Sequence, residues 1–190
     1  MGLGKIVELI EIAGLDLQFL NKPPSKLSNH SVIIRNMDNI EEFCFLDIAS
    51  LVKLIFDKDV KAEEVIQAHV NRIEKLNGSV NAVVTFTPEK ALKEARMVDQ
   101  AIAAGRNVGP LAGIPVLYKD LTYTKGVKTT FGSPIYENFV PSVDSIIVER
   151  LKKSGAISLG KTNTPEFGAG SQTFNNVFGS TKNPYDLTKT

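Results

Sequence analysis

The sequence predicts an α/β fold, a mixed and partly parallel sheet flanked by helices, and three observations predict it. Short apolar runs at 82–86, 113–118 and 156–159 have the length and β-rich content of strands. Segments between and before them repeat apolar residues at helical spacing. From residue 82 the order is strand, helix, strand, helix, strand, which implies parallel crossovers with helices packed over the sheet.

The composition narrows the function classes. A chain of 190 residues with 43% hydrophobic and 23% charged residues can bury a real core. The net charge of +1 supplies no field that would draw nucleic acid or an anionic membrane. One cysteine, Cys44, permits neither a disulfide framework nor a cysteine zinc site within the chain. Glu8, Glu11 and Asp16 interrupt the stretch a signal peptide would need apolar, and no run approaches the ~18 apolar residues of a membrane span. The expectation is a soluble cytoplasmic protein with no metal and no cofactor.

Residues 1–45 read as an N-terminal extension, with a short helix around 6–12, a Pro23-Pro24 loop and a short strand at 32–34. From Leu46 onward a single α/β domain, 46–190, is expected. Asp47 caps a helix whose apolar positions Ile48, Leu51, Val52 and Ile55 follow the i, i+3, i+4, i+7 rule. A second helix covers about 62–76, with Ile66, His69, Ile73 and Leu76 on one stripe and Gly78 as its stop. His69 on that stripe reads as a packed core residue, since no partner stands at recognisable spacing. After the strand at 82–86, Thr87, Pro88 and Glu89 open a third helix as cap, first-turn proline and dipole-facing acid. Ala91, Ala95, Val98 and Ile102 are its inward face, and Gly105 closes it.

The central stretch is Gly113-Ile114-Pro115-Val116-Leu117-Tyr118-Lys119-Asp120. It is apolar on both faces until it ends in a lysine, as a doubly covered strand would be. Lys119 shares a face with Leu117 and Pro115, while Tyr118 and Asp120 point the other way. The exit end of such a strand is where open α/β sheets bind ligands. Lys119 is therefore either an ion-pair partner or a working amine, and both readings stand on the residues alone. A fourth helix from about Asp144 has Val143, Ile147 and Leu151 inward and stops at Gly155; a strand at 156–159 follows. From Gly160 to Thr190 the glycine, Ser/Thr, Asn and Pro content predicts a long ordered loop.

Gly155-Ala156-Ile157-Ser158-Leu159-Gly160-Lys161-Thr162 satisfies the phosphate-loop pattern letter for letter. That loop needs a strand before its first glycine and a helix after its lysine. Here a helix precedes, an apolar strand fills the loop, and Pro165 follows closely. Nucleotide binding is rejected on that context. No G-x-S-x-G elbow is present, the nearest stretch being Gly168-Ala169-Gly170-Ser171-Gln172. Neither His30 nor His69 stands near a nucleophile in sequence, and no metal-ligand spacing is visible. What remains is a lysine and a Ser/Thr/Gly-rich loop, raw material for a Ser–Lys hydrolase. Its lysine would act as a base only with a pKa drawn well below about 10.

Four blocks carry a resemblance: Gly109-Pro110-Leu111-Ala112-Gly113-Ile114-Pro115-Val116 with Lys119-Asp120; Gly126-Val127-Lys128-Thr129-Thr130-Phe131-Gly132-Ser133; Gly160-Lys161-Thr162-Asn163-Thr164-Pro165-Glu166-Phe167; and Phe178-Gly179-Ser180-Thr181-Lys182-Asn183-Pro184-Tyr185-Asp186. In this order, over 46–190, they resemble the N-terminal part of the amidase signature family. The resemblance implies an incomplete version of that fold and hydrolysis of carboxylic amides by a Ser–cis-Ser–Lys triad through an acyl-enzyme. It places the family's lysine base at Lys119 and a pocket-lining segment at Gly168, Ala169, Gly170 and Ser171. Those glycines equally suit plain tight turns. The family's bridging serine and nucleophile follow the Asn-Pro-Tyr-Asp block, beyond Thr190. The expectation is a chain inactive alone, whose site for a small amide substrate is completed by the missing C-terminal part, with a second chain or a homo-oligomer covering its exposed sheet. The alternative is a non-catalytic binding or assembly protein derived from an amidase. Thr164-Pro165-Glu166-Phe167 and Asn176-Val177-Phe178-Gly179 look more like general amidases than like amidotransferase subunits.

Overall fold

The computed structural model describes residues 40–190. The helix expected around 6–12 and the strand at 32–34 lie outside the described residues. A 3₁₀ helix (Ile40–Phe45) leads into α1 (Ile48–Phe56), and α2 (Ala62–Val80), β1 (Val83–Phe86) and α3 (Pro88–Ala103) follow. Then come β2 (Pro115–Lys119), α4 (Ile146–Lys153), β3 (Ile157–Thr162) and a small hairpin of β4 (Phe174–Asn175) and β5 (Gly179–Ser180). The main sheet has the order β1-β3-β2, with β2 parallel to β3 and β1 antiparallel to it. The fold is thus the mixed, partly parallel α/β arrangement that the alternation of elements implied.

Local chemistry accounts for most boundaries. Asp47 caps α1, its carboxylate accepting from the Ser50 backbone N–H at 2.9 Å and from the Ser50 hydroxyl at 2.8 Å. Asp99 on α3 caps α2 from outside, its carboxylate accepting from the N–H groups of Ala62 at 2.7 Å and Glu63 at 3.1 Å. α2 runs through Gly78, which does not stop it. The Asn77 side-chain carbonyl accepts from the N–H groups of Ala82 and Val83, and Asn81 takes the left-handed turn that ends the helix. Pro88 opens α3 as expected, but Thr87 makes no side-chain cap bond.

The core lies between α1, α2, α3 and one sheet face. Leu54, Ile55, Val65, Ile66, Ala91, Ala95, Ile157 and Leu159 are all within it. Full burial of a side chain such as Leu54 or Ile55 is worth about 1.5–3 kcal/mol. On the other face Val116 and Tyr118 pack with Val148 and Ala156 under α4. α4 begins at Ile146, later than expected, and this changes its phase. Val148 is buried while Val143 and Ile147 are exposed, and Leu151 alone of the expected inward trio packs.

β3 continues through Gly160, Lys161 and Thr162, where the sequence predicts loop. Gly160 is what allows this. Its φ is +136°, and a Cβ there would sit 1.9 Å from the Thr85 carbonyl oxygen of β1. Val116 pairs with Ser158 and Leu117 with Gly160, so Leu159 is an extra, bulged residue in β3.

Candidate functional site

Lys119 is the last residue of β2 and stands in register with Thr162, the last of β3. The parallel pair therefore delivers both strand ends to one edge of the molecule. The alternation expected along β2 holds, with Val116 and Tyr118 on the α4 face and Leu117 toward the main core. Burial of the lysine does not. The strand is covered as far as Tyr118, and Lys119 itself is exposed. β2 is also an edge strand among the described residues. The Lys119 side chain meets no carboxylate among the described residues, so the ion-pair reading is not realised.

The chain instead buries a different lysine. Lys161 on β3 has no exposed surface. Its Nζ donates to the Thr122 carbonyl, to Thr129 Oγ1 at 3.0 Å and to Thr124 Oγ1 at 3.2 Å. Burial pushes its pKa down to about 8, and the Asp120 carboxylate partly offsets this. Asp120 is also fully buried, with Oδ2 accepting from the Thr130 N–H at 3.0 Å and the Thr130 hydroxyl at 2.6 Å. Its pKa is raised, chiefly by burial, against the hydrogen bonds from Thr130 and the charge of Lys161. Oδ1 of Asp120 is buried without a partner. The sequence points to neither residue as functional. The available signal is that Lys161, like Lys119, closes an apolar run beside a polar, threonine-bearing segment.

Gly168 ends a 3₁₀ turn (Glu166–Gly168) just past β3, and Ala169, Gly170 and Ser171 follow it. Ala169, Gly170 and Ser171 line an open cavity of about 360 Å³ with Glu166, Gln172 and Asn175. Gly168 instead faces the strand side, since a Cβ there would lie 2.8 Å from Leu121 Cδ1. Lys119 is not part of that cavity's lining. The two expected site elements are neighbours through Leu121, without sharing one pocket. Aromatic rings cluster beside them, with Phe131 centred 6.4 Å from Phe167 and 5.1 Å from Tyr136.

Asn175 anchors the segment after β3. Its amide donates to Asn163 Oδ1 at 2.7 Å and the Thr164 carbonyl at 2.8 Å, and its Oδ1 accepts from the N–H groups of Val177 and Phe178. The stretch expected as loop is thus ordered by asparagine side chains more than by strand pairing.

Other reactive groups are inert. The Cys44 thiol is pushed up to about 11 by burial, which leaves no thiolate near neutral pH. His69 is buried with Nδ1 2.8 Å from the Val65 carbonyl, to which it donates, and burial holds its imidazole below the usual histidine value. The small apolar cavity near it, lined by Ile73, Leu76, Val80, Leu117 and Leu159, brings no further titratable partner to the imidazole than Arg72 and Cys44. Among the described residues no group of three or more His, Cys, Asp or Glu could hold a metal ion. Nor is any described helix long and apolar enough to cross a membrane.

The strand-end lysine and the glycine-rich turn thus lie at the same edge of an α/β sheet. The Amidase family matches residues 64–190, and the chain belongs to that family. It is 43% identical over 150 residues to a glutamyl-tRNA(Gln) amidotransferase subunit of Alkaliphilus metalliredigens, covering 79% of this chain and 30% of that protein. With the corresponding amidotransferase subunit of Carboxydothermus hydrogenoformans the identity is 45% over 146 residues, 77% of this chain and 30% of the relative. Among solved structures, native peptide amidase from Stenotrophomonas maltophilia superposes with a TM-score of 0.71 at 33% identity, over 78% of this chain and 32% of that one. The chain thus spans about 30% of the length of the curated relatives it matches.

Proposed function

We propose that this chain is the lysine-bearing N-terminal part of an amidase-family hydrolase that cleaves carboxylic amides by a Ser–cis-Ser–Lys mechanism. The observation that carries the reading is the placement of Lys119 at the exit end of β2, level with the end of β3, inside the segment matched by the family. Lys119 is the base in this scheme. As a neutral amine it takes the proton of a bridging serine, which takes that of the nucleophile attacking the amide carbonyl. The ammonium so formed returns a proton to the departing amine, and water then releases the acyl group. Both serines and the oxyanion hole come from polypeptide outside residues 1–190. That polypeptide also lies along the open side of β2 and excludes water from the amine. Gly168, Ala169, Gly170 and Ser171 line the substrate side. The relatives' description as subunits supports a partner chain for such an assembly.

The exposure of Lys119 in 40–190 favours one alternative, a binding or assembly protein that keeps the scaffold without the chemistry. Turnover separates the two. Purified 1–190 is assayed for ammonia release from simple carboxamides, alone and after co-expression with the following two thirds of an amidotransferase relative. The hydrolase reading expects none alone and turnover in the complex. A stable complex without turnover supports the alternative.

A further inference from the structure

We propose that Asp120 and Lys161 are the positioning residues of this site, holding the exit of Lys119 and the turn that carries Gly168, Ala169, Gly170 and Ser171 in one frame; the assignment rests on the hydrolase reading. Burying an ammonium with no carboxylate in ion-pair contact is costly, so the surroundings must compensate. Three acceptors converge on Lys161, matching the three N–H donors of an ammonium. The hydroxyls of Thr124 and Thr129 direct their own protons to the carbonyls of Thr122 and Val127, both at 3.1 Å. Their lone pairs are thereby left to face the lysine. The segment 122–130, which has no helix or strand of its own, is folded around this cation.

Hydrogen bonds run from this centre to both site elements. Lys161 holds the Thr122 carbonyl, and the Thr122 N–H donates to the Lys119 carbonyl at 2.9 Å, closing the turn on which Lys119 stands. Asp120 fixes Thr130 through its carboxylate, and its own carbonyl accepts from the Phe131 N–H at 2.9 Å. The Phe131 carbonyl in turn accepts from the Phe167 N–H at 2.7 Å. Phe131 and Phe167 both hold left-handed backbone, at φ +58° and +50°. Bulky residues keep that conformation only where their surroundings impose it. Gly168, next in the chain, closes onto Leu121.

The test is amide spectroscopy and hydrogen exchange on the 190-residue chain carrying Lys161→Met, Asp120→Asn or Thr129→Val. Resonances of residues 119–122, 129–132 and 167–170 shift together, and their exchange accelerates about tenfold or more, as for a local opening. Amides of Leu54, Ile55, Val65 and Ile66 keep their protection. Uniform acceleration through α1 and α2, or changes that stop at Thr130 without reaching 167–170, overturns the assignment. Thr129→Val leaves the ammonium in place and gives the same pattern more weakly, so an unchanged spectrum counts against the proposal even if Lys161→Met fails to fold. In the completed enzyme Lys161→Met lowers kcat through Lys119 and raises KM through the turn at 168–171, whereas kcat and KM both within a few fold of wild type overturn a positioning role. The expected spectral pattern together with full turnover by Lys119→Gln sinks the hydrolase reading and leaves the coupling standing.

Discussion

Gly160→Ala is the sharpest structural perturbation available, because its cost follows from the backbone alone. The added Cβ would lie 1.9 Å from the Thr85 carbonyl oxygen, 3.0 Å from Thr85 C and 3.2 Å from Phe86 Cα. All three are main-chain atoms of β1, so no side chain can swing aside. β1 must move off β3, which disturbs the pairing of Val83, Thr85 and Phe86 with Thr162, Lys161 and Gly160. Holding alanine at φ +136° costs about 1–3 kcal/mol. Each ladder hydrogen bond weakened adds about 1 kcal/mol. The sum is about 4 kcal/mol, a large fraction of the roughly 5–15 kcal/mol stability of a typical domain. Urea unfolding followed by circular dichroism measures it as a lowered midpoint at unchanged slope. A loss below about 1 kcal/mol would refute the register of β3 and with it the burial of Lys161.

Two further outcomes follow from the same region. The folded-state pKa of Lys161, about 8, lies below its ordinary 10.5. Between those values the unfolded chain binds more protons, so the penalty is full below pH 8 and stability rises from pH 8 to 10.5 by roughly 3 kcal/mol. The difference between wild type and Lys161→Met isolates this from other titrating lysines and tyrosines, and a flat difference across that window contradicts it. Asn175→Ala removes four hydrogen bonds and costs about 2–3 kcal/mol, seen as a lower melting temperature and faster exchange at Val177 and Phe178.

Elements with their own local signals are legible in the sequence. Asp47 before an apolar-periodic run marks α1, and Thr87-Pro88-Glu89 marks the start of α3. Misreadings arise where side chains distant in sequence decide the outcome. Gly78 has the form of a stop, but Asn77 reaches forward to the start of β1 and carries α2 past it. Gly160 has the form of a strand end, yet it is the residue that lets β1 approach β3. Lys119 is exposed although the strand is covered as far as Tyr118, and where the cover over a strand stops cannot be read from the apolar pattern of that strand. Lys161 looks like half of a coincidental phosphate motif, because the threonines that receive it lie over thirty positions upstream.

The central claim is that Lys119 supplies the base once the rest of an amidase surrounds it. The direct measurement is amide turnover by 1–190 co-assembled with the C-terminal two thirds of a family relative, comparing wild type with Lys119→Gln. The variant is expected to lose at least about a hundredfold in kcat, as when a general base is removed, with assembly intact by size-exclusion chromatography. Turnover that survives Lys119→Gln within a few fold would contradict it.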